Sequence, residues 1–107
     1  MDLGPEFAVA RRRAGDAVVV MPEGEIDLAT IDVLQAELDA AAGESERVVL
    51  DLRGVTFIDS AGVRLVLEAM RALPEFAVVP GGPEVSRVFR LVGLDERVRI
   101  VDRPPDE

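Results

Sequence analysis

Arg47-Val-Val-Leu-Asp-Leu52 decides how the rest of the chain is read, because Val48, Val49 and Leu50 follow one another without a polar break. A strand with one wet face alternates apolar and polar residues, whereas a strand buried on both faces reads as a continuous apolar run. The segment is therefore expected at the heart of a sheet, covered on both sides as parallel strands usually are. Upstream, Ile31, Leu34, Leu38 and Ala41 or Ala42 fall on one helical stripe, with Asp32, Glu37 and Asp39 elsewhere and Gly43 as a helix stop. Further upstream, Phe7-Ala-Val-Ala-Arg-Arg12 and Ala17-Val-Val-Val-Met21 read as strands, and Ala14-Gly15-Asp16 permits the chain to reverse between them as an antiparallel hairpin.

Downstream of the central strand, Val63, Val66, Leu67, Met70 and Leu73 make a second apolar stripe ended by Pro74, and Arg64, Glu68 and Arg71 lie opposite at spacings that suit weak ion pairs. Phe76-Ala-Val-Val79 is a further strand. Pro80-Gly-Gly-Pro83 is a sharp loop whose last proline suits the first turn of a helix with Val85, Val88, Phe89 and Val92 inward, closed by Gly93. Arg97-Val-Arg-Ile-Val101 alternates like a strand at or near an edge, and residues 102–107 form a polar tail unable to continue regular structure. The expected fold class is α/β, one domain over residues 1–107 with a core from about 6 to 101. Its order is β-β-α-β-α-β-α-β, in a mixed sheet of about five strands joined by crossover helices.

Composition narrows the function. A chain of 107 residues that is 49% hydrophobic supports one core. His and Cys are both absent, which removes imidazole metal sites, thiolate zinc sites, disulfides and a cysteine nucleophile, and makes a cytoplasmic protein the default expectation. The N-terminal Met1-Asp-Leu-Gly-Pro5 lacks the basic and apolar regions of a signal peptide, and Ala17–Met21 is far too short to span a bilayer, so no membrane contact is expected. All twelve basic residues are arginines against 21 acidic ones, and a net charge of -9 disfavours direct nucleic-acid binding. Arg11-Arg12-Arg13 reads as a solvated strand end rather than a polyanion contact, since no aromatic residues accompany it. An independent enzyme ranks lowest. There is no His, Cys or Lys, no Gly-x-Ser-x-Gly elbow and no phosphate-binding loop, and carboxylates such as Glu25 and Asp27 are more readily surface solubilisers than an acid-base pair. No cofactor is expected.

The segment from Asp51 to Ser60 crosses the carboxyl edge of the sheet, where α/β proteins collect their sites. Arg53-Gly-Val-Thr56 turns, Phe57 and Ile58 re-enter the apolar layer, and Asp59-Ser60 start the second helix by accepting hydrogen bonds from free backbone amides. A helix cap alone explains the Asp-Ser pair. Gly62 weakens that reading, because a glycine in the first turn costs on the order of 1 kcal/mol relative to alanine; a small residue there lets a partner's backbone approach Ser60. A phosphate on Ser60 would meet the favourable end of the helix dipole, so the protein would stay folded while gaining roughly -1.5 to -2 charges beside Asp59. Gly24-Glu-Ile-Asp27 has its own plain reading, with Gly24 ending a strand and either Asp27 or Thr30 capping the first helix.

Gly24-Glu-Ile-Asp27, Val48-Val-Leu-Asp-Leu52, Phe57-Ile-Asp-Ser-Ala-Gly62 and the stretch from Val85 to Leu94 together resemble the STAS domain family over nearly the whole chain, most closely the bacterial anti-sigma factor antagonists. The resemblance implies partner switching. The bare protein binds a serine kinase that is also an anti-sigma factor, freeing a sigma factor; phosphorylation at Ser60 ends the complex, and a PP2C-type phosphatase resets it. It implies partner binding by Glu25, Asp27, Thr56, Asp59, Ser60 and Gly62, with ATP and magnesium belonging to the kinase, and a monomer or weak homodimer. The competing reading is a STAS docking module of a stress-signalling scaffold or of a lipid or anion transporter. One departure stands out: family members commonly continue into a further helix after the last strand, whereas this chain meets Pro104-Pro105. Either that helix is absent, leaving apolar surface for a partner or another copy, or the chain has been shortened.

Overall fold

A computed structural model describes residues 7–107. The N-terminal residues 1–5, whose lack of targeting features bears on localisation, and residue 6 at the expected edge of the core lie outside the described residues. The elements are β1 (Ala8–Ala14), β2 (Ala17–Ile26), α1 (Ile31–Glu44), β3 (Arg47–Asp51), β4 (Gly54–Ile58), α2 (Ser60–Ala72), β5 (Glu75–Val79), α3 (Pro83–Val92), a 3-10 turn (Leu94–Glu96) and β6 (Arg99–Ile100). The sheet runs β1-β2-β3-β5-β6, with β3 central as its apolar run requires. β1 and β2 are antiparallel, closing at Ala14 opposite Ala17 around Gly15, whose φ of 65° only glycine takes readily; the remaining pairs are parallel.

The described sheet has a sixth strand, β4, where a turn was expected. β2 is long enough to pair with β3 through Ala17–Val20 and then, past β3's end, with β4 through Glu23–Ile26. β3 and β4 thus lie end to end along one side of β2. Three smaller boundaries also differ. α1 runs through Gly43 to Glu44, β6 shrinks to two residues with Val98 buried ahead of it, and Val92 is exposed at the end of α3.

Alternation along the strands sorts the core into two clusters. Val18, Val20, Val48, Leu50, Phe76 and Val78 face Leu34 and Leu38 of α1, Leu65 and Val66 of α2, and Val85 and Phe89 of α3. Val19, Val49, Ala77 and Val79 face the other way, with Ala14, and no helix of the described residues joins that cluster. The expectation that β3 is buried on both faces holds, but the helices cover only one. On the other, Val101 packs against the cluster, Pro104 is buried, and the tail is tied down by ion pairs. Arg12 on β1 meets Asp106 at 2.6 Å, and Arg53 bridges the buried Asp51 at 2.8 Å and Glu107 at 2.7 Å. The polar tail forms no regular structure, as expected, yet it is a cover rather than a loose end.

Candidate docking site

Parallel pairing of β2 with β4 brings the two sequence motifs side by side. Glu25 lies beside Phe57 and Ile26 beside Ile58, and Asp59 N–H donates to Ile26 O at 3.1 Å. The register shifts between Gly24 and Glu25, so Thr56 has no partner across the pair. Such a bulge re-aims the side chains that follow it. Here it buries both Val55 and Ile58 and leaves Thr56 and Phe57 outside. Phe57, expected in the apolar layer, is 45% exposed beside the site. Gly24 makes the kink possible, with φ 106°, and Thr56 Oγ1 donates a long 3.4 Å bond to Gly24 O.

Each motif carries an Asp that organises a helix start. Asp27 Oδ1 accepts from Ala29 N–H at 2.9 Å and Thr30 N–H at 3.2 Å, while Thr30 Oγ1 donates to Glu25 O at 2.7 Å. Of the two capping candidates, Thr30 occupies the N-cap position without bonding the helix through its side chain, and Asp27 holds the amides of the preceding turn. Asp59 is the N-cap of α2. In extended backbone geometry its Oδ1 accepts from Ala61 N–H at 2.9 Å and Gly62 N–H at 3.3 Å, satisfying amides that a helix start leaves unpaired. Ser60 is then the first helical residue. Its hydroxyl is exposed and committed to no partner among the described residues.

Gly62 requires a correction. It is buried, and a Cβ built there would run into Ile58 and come within 2.9 Å of Ile26 Cγ2. Its smallness lets the first turn of α2 settle onto the ends of β2 and β4; it gives a partner no approach to Ser60. Glu25, Thr56 and Ser60 are exposed around this edge, with Asp27 and Asp59 half-buried. The structure therefore brings five of the six expected residues to one sheet edge, with Asp59 and Ser60 on the side of α1 and α2 and Thr56 beside Pro83 and Glu84, and turns the sixth inward.

A groove of about 410 Å³ opens from Ser60 between α1 and α2. Leu28, 80% exposed, and Gln35 line it on the α1 side, Arg64 and Glu68 on the α2 side. These four were not singled out for the site from the sequence. Arg64 and Glu68 do follow Ser60 at helical spacing, the signal that places them on its stripe. The ion pairs expected among Arg64, Glu68 and Arg71 are not formed among the described residues. Among the same residues, no three His, Cys, Asp or Glu side chains gather to hold a metal ion, and no helix is long and apolar enough to cross a membrane.

Fold and site together define a class: small single-sheet α/β domains whose working loop lies where parallel strands end and a helix begins. The chain belongs to the STAS domain family, whose family model matches residues 8–105. It is 33% identical over 85 residues to an anti-sigma F factor antagonist of Lysinibacillus sphaericus, covering 74% of this chain and 73% of that one. An anti-sigma factor antagonist from Mycobacterium paratuberculosis superposes with a TM-score of 0.86 at 28% identity, over 94% of this chain and 90% of the other. The Bacillus cell fate determinant SpoIIAA, solved in its phosphorylated form, superposes with a TM-score of 0.66 at 25% identity, over 88% and 91% of the two chains.

Proposed function

We propose that this protein is an anti-sigma factor antagonist whose binding is switched by phosphorylation at Ser60. The bare protein docks a serine kinase that doubles as an anti-sigma factor, with Glu25, Asp27, Thr56, Asp59 and Ser60 on the docking surface, and the sigma factor is released. The kinase then transfers the γ-phosphoryl group of ATP to Ser60 Oγ. The new P–O bond forms as the bond to ADP breaks, and the hydroxyl proton passes to a base on the kinase. A PP2C-type phosphatase removes the phosphate by hydrolysis and restores the docking form. The protein itself carries out no catalysis in this cycle and works in the cytoplasm.

The observation that carries this reading is the exposed, uncommitted Ser60 hydroxyl at the first position of α2, with the second acidic motif held beside it by β4. The names of its relatives support the partner class, and the phosphorylated form of SpoIIAA supports a phosphate-dependent switch. Added charge on a helix start, beside Asp59, leaves the fold intact and repels a partner that had packed on the bare hydroxyl. Incubation with the cognate kinase and ATP, followed by mass spectrometry, is expected to find phosphate on Ser60. Ser60→Ala is expected to stay bound to the kinase, and Ser60→Asp to bind at least tenfold more weakly. Phosphate at another residue, or equal affinity of the two variants, would overturn the proposal.

A further inference from the structure

We infer that Arg64 captures the phosphate placed on Ser60, pairing with it across one turn of α2. The inference rests on the proposed modification of Ser60 and concerns what the modified residue then touches. Residues four apart on a helix stand one above the other, and Ser60 and Arg64 line the same groove. The other charged residues lining that groove are Asp59 and Glu68; the α1 side contributes Leu28, Ile31 and Gln35, which carry no charge. Asp59 has its Oδ1 turned to the amides of Ala61 and Gly62, and among the described residues Glu68 forms no ion pair with Arg64 although the spacing allows one. The guanidinium is therefore an exposed cation within one turn of the acceptor hydroxyl.

A phosphate dianion on Oγ offers that guanidinium two oxygens at once, the planar bidentate match that an ammonium lacks. Capture has a consequence for the switch. Phosphorylation then adds negative charge at Ser60 and also occupies the cation lining the groove, so a partner that used Arg64 in the bare form loses it on modification. Charge is partly balanced within the protein, in keeping with a modified form that stays folded.

Phosphoserine can be installed at position 60 during translation, which makes the test independent of any kinase. Titration of the 31P signal reads the second ionisation of the phosphate. It is expected to occur about 0.3 pH unit lower in the parent than in Arg64→Gln, the size of an ion pair across one helical turn. Arg64→Lys is expected to recover part of the shift, and 1 M salt to remove most of it. Equal titration of the parent and Arg64→Gln would overturn the inference, as would a shift that salt leaves untouched. A kinase that leaves Ser60 unmodified would instead overturn the proposed function, without altering this titration.

Discussion

On the helix side, the sheet buries Val18, Leu50, Phe76 and their neighbours under α1, α2 and α3; on the other, Ala14, Val19, Val49, Ala77 and Val79 form a smaller buried cluster against which Met21 and Val101 pack. The first cover is apolar packing. The second includes a strap of chain fastened by exposed carboxylates to Arg12 and Arg53, with Val101 packed on the cluster beside Met21 and Pro104 buried. Hydrophobic burial is insensitive to pH and strong per residue, whereas exposed ion pairs are weak and screened by salt. One sheet thus has a face covered by packed helices and a face whose cover is fastened largely by weaker, exposed contacts. Ser60, at the start of α2, belongs to the durable side.

Neighbouring residues on β3 give the largest test of that contrast. Leu50→Ala empties a site with no exposure beneath the helices and is expected to cost about 2–5 kcal/mol of unfolding free energy. Val49→Ala, one residue earlier and on the opposite face, removes less volume from a smaller cluster, and is expected to cost about 1.5 kcal/mol. Urea denaturation of both variants measures the difference. Equal losses would mean that the strap packs as tightly as the helices.

Gly62→Ala tests the helix side at its most crowded point. Alanine is favoured over glycine in a helix by about 1 kcal/mol, but the added methyl must displace Ile58 and Ile26, and overpacking of this kind costs about 1–3 kcal/mol. The second effect is expected to win, giving a net loss of about 1 kcal/mol by thermal or chemical denaturation. A stabilised variant would show that room exists at Gly62, and the packing account of that glycine would fail.

What could be read beforehand follows the same divide. The unbroken run Val48-Val49-Leu50 announced burial on both faces, but hydropathy says nothing of what does the burying, and helices on one side only are a property of the connections. β4 escaped because its bulge at Thr56 breaks the two-residue alternation that marks a strand, placing Thr56 and Phe57 both outside. The Asp59-Ser60 start was legible because a cap is a local device, decided within a few residues. Gly62 was misread because the atoms that forbid a side chain there, on Ile26 and Ile58, come together only through the β2–β4 pairing. The groove walls escaped for the same reason: Leu28 and Arg64 become neighbours only when α1 packs beside α2.

Acid gives the smallest expected effect and the sharpest one on the strap. Hydrogen bonding to Arg12 holds the Asp106 carboxyl below its usual range, with the guanidinium charge adding to it, and Arg53 does the same for Glu107. A carboxyl whose pKa is depressed in the folded state stabilises that state above its unfolded value, near 4, and loses the contribution as pH falls through the folded value. The strap is therefore expected to stay docked at neutral pH and to loosen below about pH 4, while the helix side, where the pairs of Arg11 with Glu37 and Glu44 only add to a large apolar cluster, remains closed. The amide of Val101, which donates to Val78 O at 3.0 Å, reports on docking. After correction for intrinsic exchange, its protection is expected to fall at pH 3, and also in 1 M salt at pH 7, with the amides of β3 unchanged. Carbon-13 titration of the Asp106 and Glu107 carboxyls is expected to give midpoints below those of model peptides. Ordinary midpoints, or simultaneous loss of protection at Val101 and Leu50, would show that the two faces open as one.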